Sequence, residues 1–312
     1  MPALFISWSV AHGRSRDLAA ELGAEAVFVG VRTRRRRWLT PLRYTLATAA
    51  TVRLFVTRRP RPLYVMAPPL PLSILAVAYG AVARAPVVID AHTGAARSGR
   101  TGRPRRSLSV LGRLARAVIV TNEALAAPLR RAGVRTVVLH DPIESRSPAP
   151  TDAFVAVAPL AWAPDEPVDD LFAAASQLPD VPFVLTGKAP SSVATRHDLP
   201  ANIRLTGFVE PPEFDKLLAG AGVVLALTTR RATMQRAGYE AMAFGRPVVA
   251  SDTEVLRDFF GDAAEYAASA DELVASITRV RANVDGFAAA MCRRRAEAQR
   301  DFRRGVAELD LR

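Results

Sequence analysis

The stretch T-M-Q-R-A-G-Y-E-A-M-A-F-G-R-P-V-V-A-S-D, residues 233–252, decides the fold. Polar side chains and a glycine open an amphipathic helix that carries one acid, Glu240, and turns at Gly245. Pro247 then starts a short apolar strand, P-V-V-A-S, that ends on Asp252. A helix that begins just after a strand end aims several unpaired backbone N–H groups at one place, which suits a phosphate. An acid two turns further on can reach the hydroxyls of an attached ribose. The segment reads as half of a nucleotide site.

Strand–helix alternation extends from this stretch in both directions. Upstream in the second half lie F-V-A-V-A-P (154–159), a helix over 168–177, P-F-V-L-T-G (182–187), N-I-R-L-T-G (202–207), a helix over 211–220 and G-V-V-L-A-L-T (222–228). From about Asp271 the chain reads as helical, long enough to cross back onto the first half. The first half shows strands at 3–8, 24–30, 62–67, 85–94, 117–121 and 136–141. Helices over 15–23, 42–58, 70–83 and 122–133 separate several of them. Continuous apolar strands between helices predict parallel sheets covered on both faces. D-P-I-E-S-R-S-P-A-P (141–150), with three prolines among small polar residues, marks the linker. The expected organisation is a first domain over 1–145, a second over 146–290 and a C-terminal helix over 291–312. Two such α/β units predict a ligand cleft at the strand C-termini.

Composition excludes several classes. At 312 residues, half hydrophobic and 23% charged, the chain is long enough for two cores and is not disordered throughout. One cysteine, Cys292, rules out a disulfide framework and a cysteine-based zinc site, and points to a reducing cytoplasm. The N-terminus M-P-A-L-F-I-S-W-S-V reads as a first strand rather than a secretory signal, and the longest apolar run, 72–83, fits a buried helix. Residues 1–150 hold 24 Arg against 7 acids, a net of +17; residues 151–312 hold the remaining 18 basic residues against 23 acids, a net of −5. Halves of opposite charge imply different partners. The run Arg32–Arg37 with Trp38 suits an anionic membrane surface. A specific nucleic-acid role is disfavoured because these arginines lack interleaved aromatic residues for base stacking.

Each candidate site residue has a functional and a structural reading. Glu240 either accepts from two vicinal ribose hydroxyls or pairs with an arginine on the surface. Thr233, Gln235 and Arg236 open the helix, where amides and a guanidinium can neutralise a leaving diphosphate while Thr233 caps. Arg230 and Arg231 are alternatives for that cation. Gly187 and Lys188 follow a strand end and suit a diphosphate or a base, or form a plain turn. His92, in the loop after a strand, is a candidate for hydrogen bonding a sugar hydroxyl, or a capped structural residue. His12–Gly13 forms a short loop where a phosphate or acceptor can approach the backbone. The histidines at 12, 92, 140 and 197 are dispersed and no acid–x–acid pair ends a strand, so no metal set is expected.

E-A-M-A-F-G-R-P-V-V-A-S-D (240–252), with N-I-R-L-T-G-F-V (202–209) and G-V-V-L-A-L (222–227), resembles the C-terminal half of family 4-like glycosyltransferases of GT-B fold, also called glycosyl transferases group 1. V-V-I-D-A-H-T-G (87–94), I-V-T-N-E-A-L-A (119–126) and P-P-L-P-L (68–72) are similar to the first half of such enzymes. The resemblance implies two Rossmann-like domains whose parallel sheets face each other across a cleft, with a C-terminal helix crossing back to the first. It implies retaining transfer of a sugar from a nucleotide-sugar donor, with no metal and no cofactor; the basic first half points to a lipid-linked or polysaccharide acceptor. With the single cysteine and the basic first half, the expected location is the cytoplasm, peripheral on the inner face of the plasma membrane. Glu240 matches the glutamate that binds ribose; Arg236, with Lys188, is assigned to the diphosphate, and His92 and Arg236 are the catalytic candidates. The family's first glutamate falls at Ala232, which leaves the donor sugar open and makes a non-catalytic GT-B scaffold in envelope polysaccharide assembly the alternative. Where the family carries arginine and lysine after the first strand of the second domain, this chain reads P-L-A-W-A-P-D-E-P-V-D-D-L (159–171). A GT-B epimerase is disfavoured, since no paired acids occupy the corresponding loops.

Overall fold

The structure, a computed structural model, describes residues 1–30, 40–96, 106–150 and 153–309. The run Arg32–Arg37 with Trp38 lies outside the described residues. The chain divides into two compact units, one of Met1–Pro142 with the segment from Asp301 onward, the other of Ile143–Arg300.

The first unit runs β1 (Leu4–Ser7), α1 (Gly13–Glu21), β2 (Glu25–Phe28), α2 (Thr40–Arg58), β3 (Leu63–Ala67), α3 (Leu70–Ala83), β4 (Val87–Ala91), α4 (Thr93–Ala96), α5 (Arg106–Leu114), β5 (Ala117–Val120), α6 (Glu123–Arg131) and β6 (Thr136–Val138). Its strands form a parallel sheet in the order β2-β1-β3-β4-β5-β6. The L-F-I-S, L-Y-V-M-A, V-V-I-D-A and A-V-I-V strands are buried along their whole length, as strands covered on both faces require. Edge strand β2 opens on the exposed Glu25. The expected strand over 85–94 stops at Ala91, because Thr93–Ala96 coils into the short α4.

The second unit runs β7 (Ala156–Ala158), α7 (Val168–Gln177), β8 (Phe183–Thr186), α8 (Ser191–Ala194), β9 (Ile203–Gly207), α9 (Pro211–Ala219), β10 (Val223–Ala226), α10 (Arg236–Ala243), β11 (Val248–Ser251), α11 (Glu254–Phe260), β12 (Ala264–Ala267), α12 (Ala270–Ala282) and α13 (Val284–Leu309). The sheet order is β12-β11-β10-β7-β8-β9, again parallel. Phe183, Leu185, Val223 and Leu225 of the sheet pack with Leu171 and Phe172 of α7 and with Leu273 and Ile277 of α12. Strand β12, A-E-Y-A, has no apolar run to announce it; only its outer alanines are buried.

Helix α13 begins in the second unit, and its last turns belong to the first. Phe302 and Leu309 are buried there with Phe5, Ile119 and Leu139. Gly305 permits this approach: a Cβ at that position would stand 2.6 Å from Leu139 Cδ2 and 3.0 Å from the Val138 carbonyl oxygen. Among the described residues no helix is long and apolar enough to cross a membrane.

Candidate functional site

Both sheets reverse their winding at one point, and in open α/β sheets ligands bind beyond the strand C-termini at that point. In the second unit the reversal lies between neighbours β7 and β10: from β7 the chain winds outward to β8 and β9, from β10 to β11 and β12. The loops that leave these strands, 159–167 and 227–235, therefore frame the site.

The acids that replace the expected cations after β7 build the loop itself. The Glu166 carboxylate accepts from the Ala161 amide at 3.0 Å and the Ala163 amide at 2.8 Å. Asp165 Oδ2 accepts from Thr228 Oγ1 at 3.0 Å, its Oδ1 is 3.1 Å from the Arg230 guanidinium, and its carbonyl accepts from the Thr229 amide at 2.7 Å. One acid folds the first loop and the other fastens it to the second. Gly187 closes the same corner, with φ of +85°, and a Cβ there would meet the Leu160 carbonyl oxygen at 2.0 Å. Trp162 covers this corner, its indole N–H donating to the Thr186 carbonyl at 3.1 Å. The close backbone approach read at Gly187 is thus made by the protein's own loop. Lys188 beside it is exposed.

Across 227–235 the structure corrects the expected helix start. Gln235 has extended backbone angles and occupies the N-cap, so α10 begins at Arg236 and Thr233 is not the cap. The reason is a turn that intervenes: the Thr233 amide donates to the Arg230 carbonyl at 3.3 Å, and Gln235 Nε2 spans back to the Leu227 carbonyl at 2.7 Å. Gln235 thereby shapes the loop, and the Thr233 hydroxyl is buried without a hydrogen-bond partner. Ala232, where the family's first glutamate falls, is 6% exposed. Arg236 Nε donates to Glu240 Oε1 at 2.9 Å, one turn along the helix, with the two side chains 47% and 27% exposed. An ion pair this open costs little to exchange for ligand contacts. Arg231 is exposed, and lines a hollow of about 200 Å³ with Thr228, Ser251, Thr253 and Ser269 beyond β10, β11 and β12.

In the first unit the reversal lies between β1 and β3. The chain leaves β1 into the loop that ends at His12, whose ring caps α1: Nδ1 accepts from the Ser15 amide at 3.3 Å and lies 3.1 Å from Ser15 Oγ. Gly13 is the first residue of that helix. Burial, then the neighbouring His92, lowers the His12 pKa below 6.5. The two rings meet edge to face with centroids 4.8 Å apart. His92 Nε2 stands 3.3 Å from Asp90 Oδ2, and the ring is 25% exposed. The structure thus brings His12 and His92 together, whereas sequence reasoning kept them apart.

Beneath the histidines lies a network the sequence reading missed. Arg14, 4% exposed, donates from Nε to both Asp90 carboxylate oxygens at 3.2 Å and from Nη2 to Oδ1 at 2.8 Å. It also donates to Asp141 Oδ1 at 2.8 Å and to the Leu139 carbonyl at 2.9 Å. Burial alone would raise the Asp90 pKa; the Arg14 guanidinium, helped by His92, outweighs it and holds the carboxyl well below its ordinary range. The signal was present in V-V-I-D-A, since an acid inside an apolar strand demands a buried partner. Among the described residues no group of three or more His, Cys, Asp or Glu side chains is placed to hold a metal ion.

Residues 151–293 match the model of the family described as glycosyl transferases group 1. No curated protein sequence matches the chain. Among solved structures, Anabaena Alr3699/HepE in complex with UDP superposes with a TM-score of 0.69 at 19% identity, covering 99% of this chain and 97% of that one. Sucrose-phosphate synthase from Thermosynechococcus elongatus gives 0.74 at 15% identity over 99% and 97% of the two chains. The lipopolysaccharide outer core galactosyltransferase WaaB, in its apo form, gives 0.64 at 13% over 99% of both. At these identities the structural likeness speaks for the fold, and the family match speaks for the second unit. Residues 151–293 thus match a glycosyl transferases group 1 domain, and the chain as a whole has the fold of GT-B glycosyltransferases.

Proposed function

We propose that the chain moves a sugar, with retention of anomeric configuration, from a nucleotide-sugar donor to a lipid-linked or polysaccharide acceptor, using neither a metal ion nor a cofactor. The observation that carries this reading is the open Arg236–Glu240 pair at the start of α10, beside the reversal point of the second sheet. On donor binding the two partners separate: Arg236 and the first amides of α10 take the diphosphate, and Glu240 accepts from the ribose hydroxyls. The exposed pair is worth under about 1 kcal/mol, whereas charge-assisted bonds to the ligand are worth about 1.5–3 kcal/mol each, so the exchange runs toward the bound state. The bond from the anomeric carbon to the diphosphate oxygen breaks and the acceptor oxygen bonds to that carbon. The acceptor's proton passes to the departing diphosphate, whose charge Arg236 and the helix terminus stabilise.

Alanine at 232 removes a carboxylate from the donor sugar, and the unpartnered Thr233 hydroxyl is the nearest group in sequence to replace it. His92, braced by Asp90, hydrogen-bonds a sugar or acceptor hydroxyl from the first unit, where the His12–Gly13 loop also receives the acceptor. HepE was captured with UDP-glucose as well as UDP, so a uridine donor is the first to test. Thermal-shift titration with UDP, ADP and GDP, followed by transfer assays with the sugar forms of the one that binds, tests the reading. Nucleotide release that collapses in Glu240→Gln, with an α-configured product from an α-configured donor, supports it. Absence of stabilisation by any nucleoside diphosphate refutes it.

A further inference from the structure

The first unit carries a surface that the transfer reaction leaves without a task. Helix α3 packs beside α2 on one side and α5 on the other. At one end Phe55 of α2 stacks on Tyr79 of α3 with centroids 4.4 Å apart. Thirteen large hydrophobic side chains are exposed among the described residues; five stand on α2, three on α3 and two on α5. Val82 is 88% exposed, Val56 and Leu114 67% each. The second unit exposes Phe208 alone from that set. Two apolar hollows indent the layer. One, about 860 Å³, runs between α3 and α5 past Ile74, Val77, Leu111 and Leu114, with Arg84 and Arg116 in its lining. The other, about 400 Å³, lies between α2 and α3 at Val56, Tyr79 and Ala83, with Arg59 and Arg61.

The charge of this layer has one sign. None of the three helices contains an acid. Over residues 26–122 the sequence has 18 arginines and a single acid, Asp90, and that acid is buried beneath the histidines on Arg14. Arg53, Arg59, Arg61, Arg84, Arg113 and Arg116 are all exposed around the apolar side chains. A monomer's surface does not ordinarily gather its exposed apolar groups on one face.

We propose that the α2–α3–α5 face docks on an anionic bilayer, its aliphatic side chains entering the interface and its arginines meeting lipid phosphates. The alternatives fit the observations less well. A second copy of the chain would set two like-charged faces together with no acid between them. A nucleic acid would use the arginines and leave ten apolar side chains without a role. The proposal is independent of how the donor is bound.

Co-sedimentation with vesicles of phosphatidylcholine, alone or mixed with phosphatidylglycerol, tests it on the full chain. The bound fraction is expected to rise at least about fivefold with the anionic lipid and to fall as salt screens the arginines. Val56→Asp, Val82→Asp and Leu114→Asp each change one highly exposed side chain, so the thermal midpoint and nucleoside-diphosphate binding should stay at wild-type values. Their vesicle binding should drop at least about fivefold. Equal binding to both kinds of vesicle overturns the proposal. So does wild-type vesicle binding by all three variants, or a self-association that Val82→Asp abolishes while vesicles fail to bind. Retained nucleotide binding in the variants keeps this outcome separate from that of the donor site.

Discussion

The two units place charge at the same topological position and treat it in opposite ways. In the first, Arg14 and Asp90 are 4% and 1% exposed, and the guanidinium is spread over two carboxylates and a carbonyl. In the second, Arg236 and Glu240 are 47% and 27% exposed and meet at 2.9 Å. A buried network fixes geometry, because any unpaired member is left without water. An open pair stays available, because water and ligands compete for it at small cost. The first unit holds its histidines over a fixed network, and the second keeps its pair open to exchange.

That contrast can be broken experimentally. Asp90→Asn leaves the buried Arg14 half-compensated and should cost about 3–5 kcal/mol, read as an early transition of the first unit in chemical denaturation. A loss below about 1 kcal/mol would mean that the network is not structural. Gly187→Ala should cost about 2–4 kcal/mol in the second unit, since the new methyl meets the Leu160 carbonyl in a left-handed backbone. Arg236→Ala should lower donor kcat/KM at least tenfold, about 1.4 kcal/mol, with thermal stability nearly unchanged. Arg230→Ala should move stability by no more than about 1 kcal/mol, because its pair with Asp165 is largely exposed on the arginine side.

Acid sharpens the same comparison. His12 and Asp90 of the first unit have depressed folded-state pKa values, so each binds protons more readily when unfolded. The contribution of His12 is complete above its unfolded value of 6.5 and fades as pH falls through its lower folded value. That of Asp90 is complete above 3.8 and is lost progressively below it. Denaturation midpoints followed from neutral pH to below pH 4 should therefore fall first for the first unit, and Asp90→Asn should flatten the lower part of that profile.

Most of the fold is legible from apolar runs and turn residues. V-V-L-A and V-V-A-S admit little other than central strands, and 70–83 and 168–177 read as helices with the bounds observed. Strand β12 escapes because A-E-Y-A has the composition of a helix and earns its place only by pairing with β11. The candidate site is legible in part. The amphipathic run around Glu240 locates α10, yet the Arg236–Glu240 pairing also fits the plain structural reading, and the N-cap falls on Gln235 rather than on Thr233. The acids of 159–171 looked like a departure from a cation site; their task is to fold and fasten a loop, which depends on Thr228 and Arg230 far along the chain. Arg14, Asp90 and Asp141 were invisible together because three distant segments meet only once the sheet exists.

Helix α13 has a consequence for how the protein is made. Its 26 residues end with Phe302 and Leu309 inside a core otherwise formed by the earliest strands. On the ribosome that core waits with an apolar gap until the final helical turns have emerged, while the later-made domain already has most of its own residues in hand. The unit translated first is thus the one that matures last.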